Sequence, residues 1–453
     1  MMKINKQKKS GFTLIEALVG VFLLAILSLG IYMSYGFGIK MSVHNRLRTA
    51  AAAIAEKKLE GVRAMKYADI GVAGGIPQGP LTALVTETEN GIVYTVRTVV
   101  RYIDDPLDDV FPADTNPTDY KQVEIRVSWP TNMEDKEIIL NTLISPPKRE
   151  SSLGTGVLII NTVDSQGTPL VGSEVNIVNA SVNPPIDFTD YTDNNGSLTL
   201  PGAPIADSTY EITVSRNDGY ETVSTYPPYP DSPFNPIDAH LSISEGGITS
   251  KTFTLDSLSR LNLNIKDIHG AGVPNLTFAL SGGRIIGTSM DPAPQPVYFY
   301  NESSLVCDPE GIWTGHDLGK GPYTFSFESP VYELITSIPT NPWPVDSGST
   351  VDANAVLGNI TESILVVTVQ NPDEETTIPG ATVRLTDSLG VFFQETTTDI
   401  NGIAYFPQIE DPAKTLVPGE TYTIDVSAVD YNPSQKTEAV NGLTRTRVVL
   451  TIP

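Results

Sequence analysis

The sequence predicts an α+β module at the N-terminus, a long helix with a small antiparallel sheet, followed by an all-β remainder of three tandem β-sandwiches. Three observations carry this. An uncharged apolar run near the start passes into a one-sided apolar stripe with helical spacing. Two stretches, the second half of 92–102 and more cleanly 120–129, alternate apolar and polar with period two. From residue 154 onward one order of strands and turns recurs three times. The 36 glycines and 35 prolines imply many turns and oppose a mostly helical body.

Charge divides the 453 residues unevenly. The whole chain carries a formal −24, yet residues 1–66 hold 11 Lys/Arg against 3 Asp/Glu. The acidic body is a poor nucleic-acid binder, since phosphate recognition needs a basic surface. With Cys307 the single cysteine, no intrachain disulfide or multi-cysteine metal site can form.

The N-terminal element begins with Lys3, Lys6, Lys8 and Lys9, then Gly11-Phe12-Thr13-Leu14-Ile15-Glu16. From Ala17 to Ile39 no charge occurs over 23 residues, about 35 Å of helix and long enough for a bilayer core. A secretory signal would have a shorter apolar core and an Ala-x-Ala site after it. The leading lysines and the acidic mass beyond place the N-terminus in the cytoplasm and the body outside it. Glu16 costs about 3 kcal/mol at a membrane-embedded position and needs a partner. Beyond the run, Ile39, Val43, Leu47, Ala50 and Ile54 recur at spacings of 4, 4, 3 and 4. With no proline before Pro77, the helix is expected over 12–66, its segment 12–39 in the membrane.

This arrangement of lysines, Gly11, Phe12, Glu16 and apolar run resembles type IV pilins and type II secretion pseudopilins. The resemblance implies a leader peptide over 1–11, removed by a prepilin peptidase that cuts after Gly11 and methylates Phe12. It also implies that Glu16 pairs with the terminal amine of a neighbouring subunit, so that other pilin subunits are partners through the N-terminal helix. Cleavage makes a cation at Phe12, and assembly would bring it to a buried carboxylate.

Residues 67–149 are expected to be a small β domain on the upper part of the helix. Asn90-Gly91 is a hairpin turn. Strands are read at Ile92–Tyr102, at Tyr120–Trp129 and around Ile138–Ile144. The strands ending at Ser128-Trp129-Pro130 resemble those of minor pilins. Between them lies an acidic loop with Asp104, Asp105, Asp108 and Asp109. Oxygen clusters of this kind bind calcium, but the spacing is not that of an EF-hand, and a solvated loop is the alternative.

The repeats occupy 154–257, 258–358 and 362–453. Each has an Asp-x-x-Gly turn, such as Asp193–Gly196, Asp308–Gly311 and Asp399–Gly402, and a Tyr-x-apolar-x-apolar strand opening at Tyr210, Tyr323 and Tyr422. The order resembles carboxypeptidase-regulatory-like and other Ig-like domains of bacterial surface proteins. Short linkers suggest a semi-rigid rod. Two Pro/aromatic loops, Tyr226–Pro230 and Pro339–Pro344, are read either as binding surfaces or as rigid loops packed on their own domains.

No catalytic motif is found: no His-Glu-x-x-His, nucleophile elbow, Walker loop or dinucleotide glycine pattern. His44, His240, His269 and His316 are far apart, and no cofactor is expected. The reading is therefore a non-enzymatic minor pilin or pseudopilin, a single-pass membrane protein whose body lies outside the cytoplasm. Three sandwiches on every subunit would crowd a filament core, which favours a low-copy or tip position projecting a rod towards an unknown surface ligand. The alternative is a membrane-anchored surface adhesin that never polymerises.

Overall fold

Fifty residues, Leu14–Arg63, form one uninterrupted helix, α1. Its interior contains no proline, and its alanine-rich upper half has high helix propensity. The structure, a computed structural model, describes residues 14–105, 107, 118–130, 136–147, 154–373, 376–407 and 415–453. α1 ends three residues short of the expected Lys66. Ala64 N donates to Glu60 O, and Met65 N then donates to Val62 O in a tighter turn.

Above it lies an antiparallel meander of β1 (Leu84–Glu89), β2 (Ile92–Ile103), β3 (Tyr120–Trp129) and β4 (Lys136–Ile144), in that spatial order. Asn90 and Gly91 both take positive φ, 52° and 79°, which fits a primed hairpin turn between β1 and β2. The inward faces of β2 and β3 present Tyr94, Val96, Val100, Val123, Ile125, Val127 and Trp129 to Ala51, Ile54, Ala55, Leu59 and Val62 of α1.

Three two-sheet units follow. In each, the first strand pairs in parallel with the last: Thr155–Val163 with Ile248–Thr254, Ser259–Asp267 with Thr350–Asn359, and Ile364–Gln370 with Leu443–Val449. Each unit therefore takes in the chain at one end and releases it at the other. Three separate cores result, around Tyr210, Tyr323 and Tyr422, each tyrosine buried.

The Asp-x-x-Gly signals form the turns the sequence predicts. At Asp308 the carboxylate accepts from Glu310 N and Ile312 N while Gly311 N donates to Asp308 O. Gly311 has φ 77°, and a Cβ there would stand 2.3 Å from Ile265 O, so both conformation and space require glycine.

The units are not strung on linkers alone. Ile76, from the glycine/proline loop of the helix-and-sheet module, is buried in the core of the first sandwich. Arg101 donates to Asp190, Arg97 to Thr189 O at 3.1 Å, and Gln78 to Pro185 O at 2.8 Å. A 440 Å³ cleft between Arg97, Leu84, Phe188 and Tyr191 follows this seam.

The Pro339–Pro344 loop forms a joint, and the chain just past the Tyr226–Pro230 loop forms another. Beyond Tyr226, which packs edge-on against Phe234, the strand Phe234–Pro236 adds to Thr277–Ser289 of the second sandwich. Trp343 is buried in the second core, while Thr340 bonds Asn401 of the third sandwich.

The last joint departs from an extended rod. Tyr332 is level with Asn359 and Ile338 with Asn354, so the path from Glu333 to Thr340 leads away from the exit of the second sandwich. Along that path Glu333 meets Arg445, Thr336 meets Asp399, and Thr340 meets Asn401. In the third sandwich Arg445 is level with Val366, and Ile403 with Thr368 further along the same strand. The third sandwich thus runs back along the second. The outward side chains of Ile364 and Val366 pack on Ile268 and Ile335 in a buried apolar seam. Its driving force is burial of β-branched residues on two outer sheet faces that the linker length alone does not reveal.

Candidate functional site on the N-terminal helix

The lower half of α1 is apolar on every side, and nothing among the described residues covers it. Leu14 is 82% exposed, Leu24 65%, Tyr32 77% and Val43 53%. Its 18-residue apolar window has mean hydropathy 2.6, long and apolar enough to cross a membrane. A helix that is apolar all round belongs in a bilayer or among other helices. Among the described residues, no side chain lies within 4 Å of where a Cβ would stand on Gly20, Gly30, Gly36 or Gly38, so the backbone is open there to a close neighbour. Ser34 returns its hydroxyl to Gly30 O at 2.8 Å, satisfying its polar group within the helix.

Glu16 is exposed in the first turn of α1. A carboxylate near a helix N-terminus gains from the macrodipole, and it can also face an amine brought by another chain. Gly11 and Phe12, the expected processing residues, lie outside the described residues. The described helix starts at Leu14.

The upper half is anchored instead. Tyr94 donates its hydroxyl to Leu47 O at 3.4 Å, marking where the sheet begins to cover the helix. From there Ala51, Ile54, Ala55, Leu59 and Val62 are all at most 7% exposed. The predicted stripe is therefore split: Ile39 and Val43 are exposed, Leu47 and Ala50 half-buried, and Ile54 buried. Lys58 pairs with Glu87 at 2.6 Å, tying β1 to the helix.

One buried cation escaped the sequence reading. Lys121 is 2% exposed, and its ammonium donates to Tyr67 O at 3.1 Å and Ile70 O at 2.9 Å. It also lies 4.6 Å from the Tyr67 ring and 5.2 Å from the Tyr102 ring. It secures the short turn that leads the chain off the helix and into the sheet. The signal was present: Lys121 has the parity of Val123, Ile125, Val127 and Trp129, so it had to point inward.

Of the acidic loop, Asp104 and Asp105 are described, whereas Asp108 and Asp109 lie outside the described residues. Asp105 N donates to Asp119 Oδ2 at 2.8 Å, and Asp105 Oδ1 accepts from Leu107 N at 3.1 Å. Among the described residues, no group of three or more His, Cys, Asp or Glu is gathered to hold a metal ion. Cys307 is buried. Its thiol donates to Val273 O and accepts from Leu276 N, both at 3.2 Å, and burial pushes its pKa up, away from the reactive thiolate. His240 bonds Thr225 at 3.0 Å in a partly buried position that disfavours its charged form.

Residues 6–32 match the family model described as the prokaryotic N-terminal methylation motif. A search of the curated proteins finds no match. Among solved structures, the Bacillus anthracis TIE protein aligns at 12% identity over 82% of this chain and 73% of its own, with TM-score 0.19. A streptococcal ancillary pilin aligns at 12% identity over 66% of this chain and 99% of its own, also with TM-score 0.19. BcpA, the major pilin subunit of Bacillus cereus, gives 12% identity, 66% and 99% coverage, and TM-score 0.16. Superpositions this poor carry no weight for the fold or function of the chain. The methylation motif, covering Lys6, Lys8, Lys9 and most of the uncovered helix, is the match that bears on function.

Proposed function

We propose that the protein is a non-enzymatic, low-copy subunit of a membrane-anchored filament, a minor type IV pilin or pseudopilin. Its chain is cut after Gly11, methylated at Phe12 and held in the membrane through segment 12–39 until assembly. The observation that carries the reading is the uncovered lower half of α1, with Glu16 in its first turn, inside a match to the methylation motif. In a filament the apolar face would pass from lipid to the helices of neighbouring subunits. Glu16 would then neutralise the amine of Phe12 on the adjacent chain.

The low-copy part follows from bulk. Residues 154–453 add 300 residues beyond a module whose own helix and sheet span fewer than 150. Displayed on every subunit, that mass would obstruct close helix packing. The sandwiches then serve contact or adhesion beyond the filament surface.

The experiment is to shear filaments from cells carrying Glu16→Ala and assay them for this chain. The proposal predicts that the variant stays in the membrane fraction with its sandwiches folded. Unchanged display on the cell surface, with no filament association of either form, would instead support the non-polymerising adhesin. A filament of this chain alone with a dense regular repeat would overturn the low-copy position.

A further inference from the structure

The assembly reading leaves the charges just above the apolar run without a role. Between Glu16 and Glu56 the chain carries three charges, Lys40, Arg46 and Arg48, all positive. All three are exposed on α1. None is ion-paired among the described residues. The acidic groups nearest this level belong to the β1–β2 hairpin, where Glu87 is held by Lys58 and Glu89 accepts from Asn90.

Their height is fixed by the helix. The uncharged run ends at Ile39, so at about 1.5 Å per residue Lys40 stands about 1.5 Å beyond it, Arg46 about 10 Å and Arg48 about 14 Å. The headgroup layer is about 5–8 Å thick, and long basic side chains reach back towards it along the helix. The Tyr94–Leu47 contact marks the lower edge of the sheet on the helix: Lys40 stands below it, Arg46 and Arg48 at its edge, and Arg46 lines an open cleft beside Glu87 and Glu89 while keeping its own side chain exposed.

Their azimuth decides between partners. At about 100° per residue, Lys40, Arg46 and Arg48 point roughly 0°, 240° and 80° around the axis. They ring the helix. A single acidic partner helix would require a stripe on one face, whereas a planar layer of headgroups surrounds the helix and meets every side.

We propose that Lys40, Arg46 and Arg48 form a collar that binds anionic phospholipid headgroups of the exported leaflet and sets the depth of the unassembled subunit. The collar rests on the reading of α1 as a membrane anchor. Once the leader lysines are cut away, these are the side-chain cations that flank the apolar run. Each basic residue near an anionic surface gives about a fivefold preference, and salt weakens it. On leaving the bilayer for a filament, the subunit would release these lipids.

The test uses the full chain reconstituted into vesicles of phosphatidylglycerol mixed with phosphatidylcholine, extracted with its bound lipid and analysed by mass spectrometry. Phosphatidylglycerol should be enriched several-fold over the bulk ratio around the native chain. The triple variant K40Q/R46Q/R48Q, which removes no buried contact, should return to the bulk ratio, and high salt should do the same to the native chain. Equal enrichment in both chains, or none in either, overturns the collar. If lipid shows no preference while an acidic stem helix from another subunit binds the native chain and not the variant, the three cations belong to a protein interface. Failure of the native chain to enter vesicles at all would overturn the anchor itself, an outcome distinct from loss of preference in an inserted chain.

Discussion

Leu24 and Leu59 lie on the same helix, one 65% exposed and the other 5%. Local propensity does not separate them, since both are good helix formers. Periodicity does. Around Leu24 apolar residues occur on every side, so no face is offered to a sheet in particular. Around Leu59 they keep to one side, with Glu56, Lys57 and Glu60 on the other, and one sheet suffices to cover them. The lower half must find its solvent in lipid or in other subunits, whereas the upper half carries its own.

The largest effect that would break this contrast is in the upper half. Leu59→Ala should cost about 2–5 kcal/mol, because the void sits between a helix and two strands that cannot both close on it. Hydrogen exchange of the β2 and β3 amides would register it as faster local opening. Lys121→Ala should follow at about 1–3 kcal/mol, since Tyr67 O and Ile70 O lose their shared donor inside the module. Lys121→Arg, with a differently shaped head, should restore only part of that protection.

Smaller still is the joint of the last two sandwiches. Asn401 donates to Thr336 Oγ1 at 2.9 Å and to Ser337 O at 2.8 Å. Asn401→Ala should cost about 1–2 kcal/mol of joint stability. Spin-label distances between the two sandwiches should then broaden, while the apolar seam holds the mean. At the bottom of the scale, Leu24→Ala should leave β2 and β3 exchange within about 0.5 kcal/mol of native. A large loss there would mean that the lower half packs on its own chain after all.

What the sequence revealed follows from how local each signal is. The helix, the Asn90-Gly91 hairpin, β2, β3 and the Asp-x-x-Gly turns each depend on neighbours within about ten residues, and all were legible. The core role of Ala51 and Ala55 was not, because alanine reads equally as a helix former and as a small residue under a sheet. Lys121 was passed over because a buried cation contradicts composition, although its parity in β3 announced it. The joints were the least legible. Ile76 in the core of another unit, Phe234–Pro236 completing a neighbour's sheet, and the return of the third sandwich along the second all rest on contacts between distant residues. For the candidate site, Glu16 and the apolar run were visible in full, since chemistry and length declare them. The uncovered state of Ile39 and Val43 depends on where the sheet begins, which only the fold sets.

The turn-back also alters what the sandwiches present outward. A straight rod would expose the end of the third unit. The folded arrangement puts the turn between the second and third units, around Asn359–Glu362, at that end instead.

The central claim is that the lower half of α1 enters the prepilin pathway. Its most direct test is mass spectrometry of the N-terminal peptide of the protein taken from its native membrane. The account predicts a chain beginning at methylated Phe12. A chain still beginning at Met1 or Met2 would contradict it and leave the helix as an anchor for a surface protein that does not assemble.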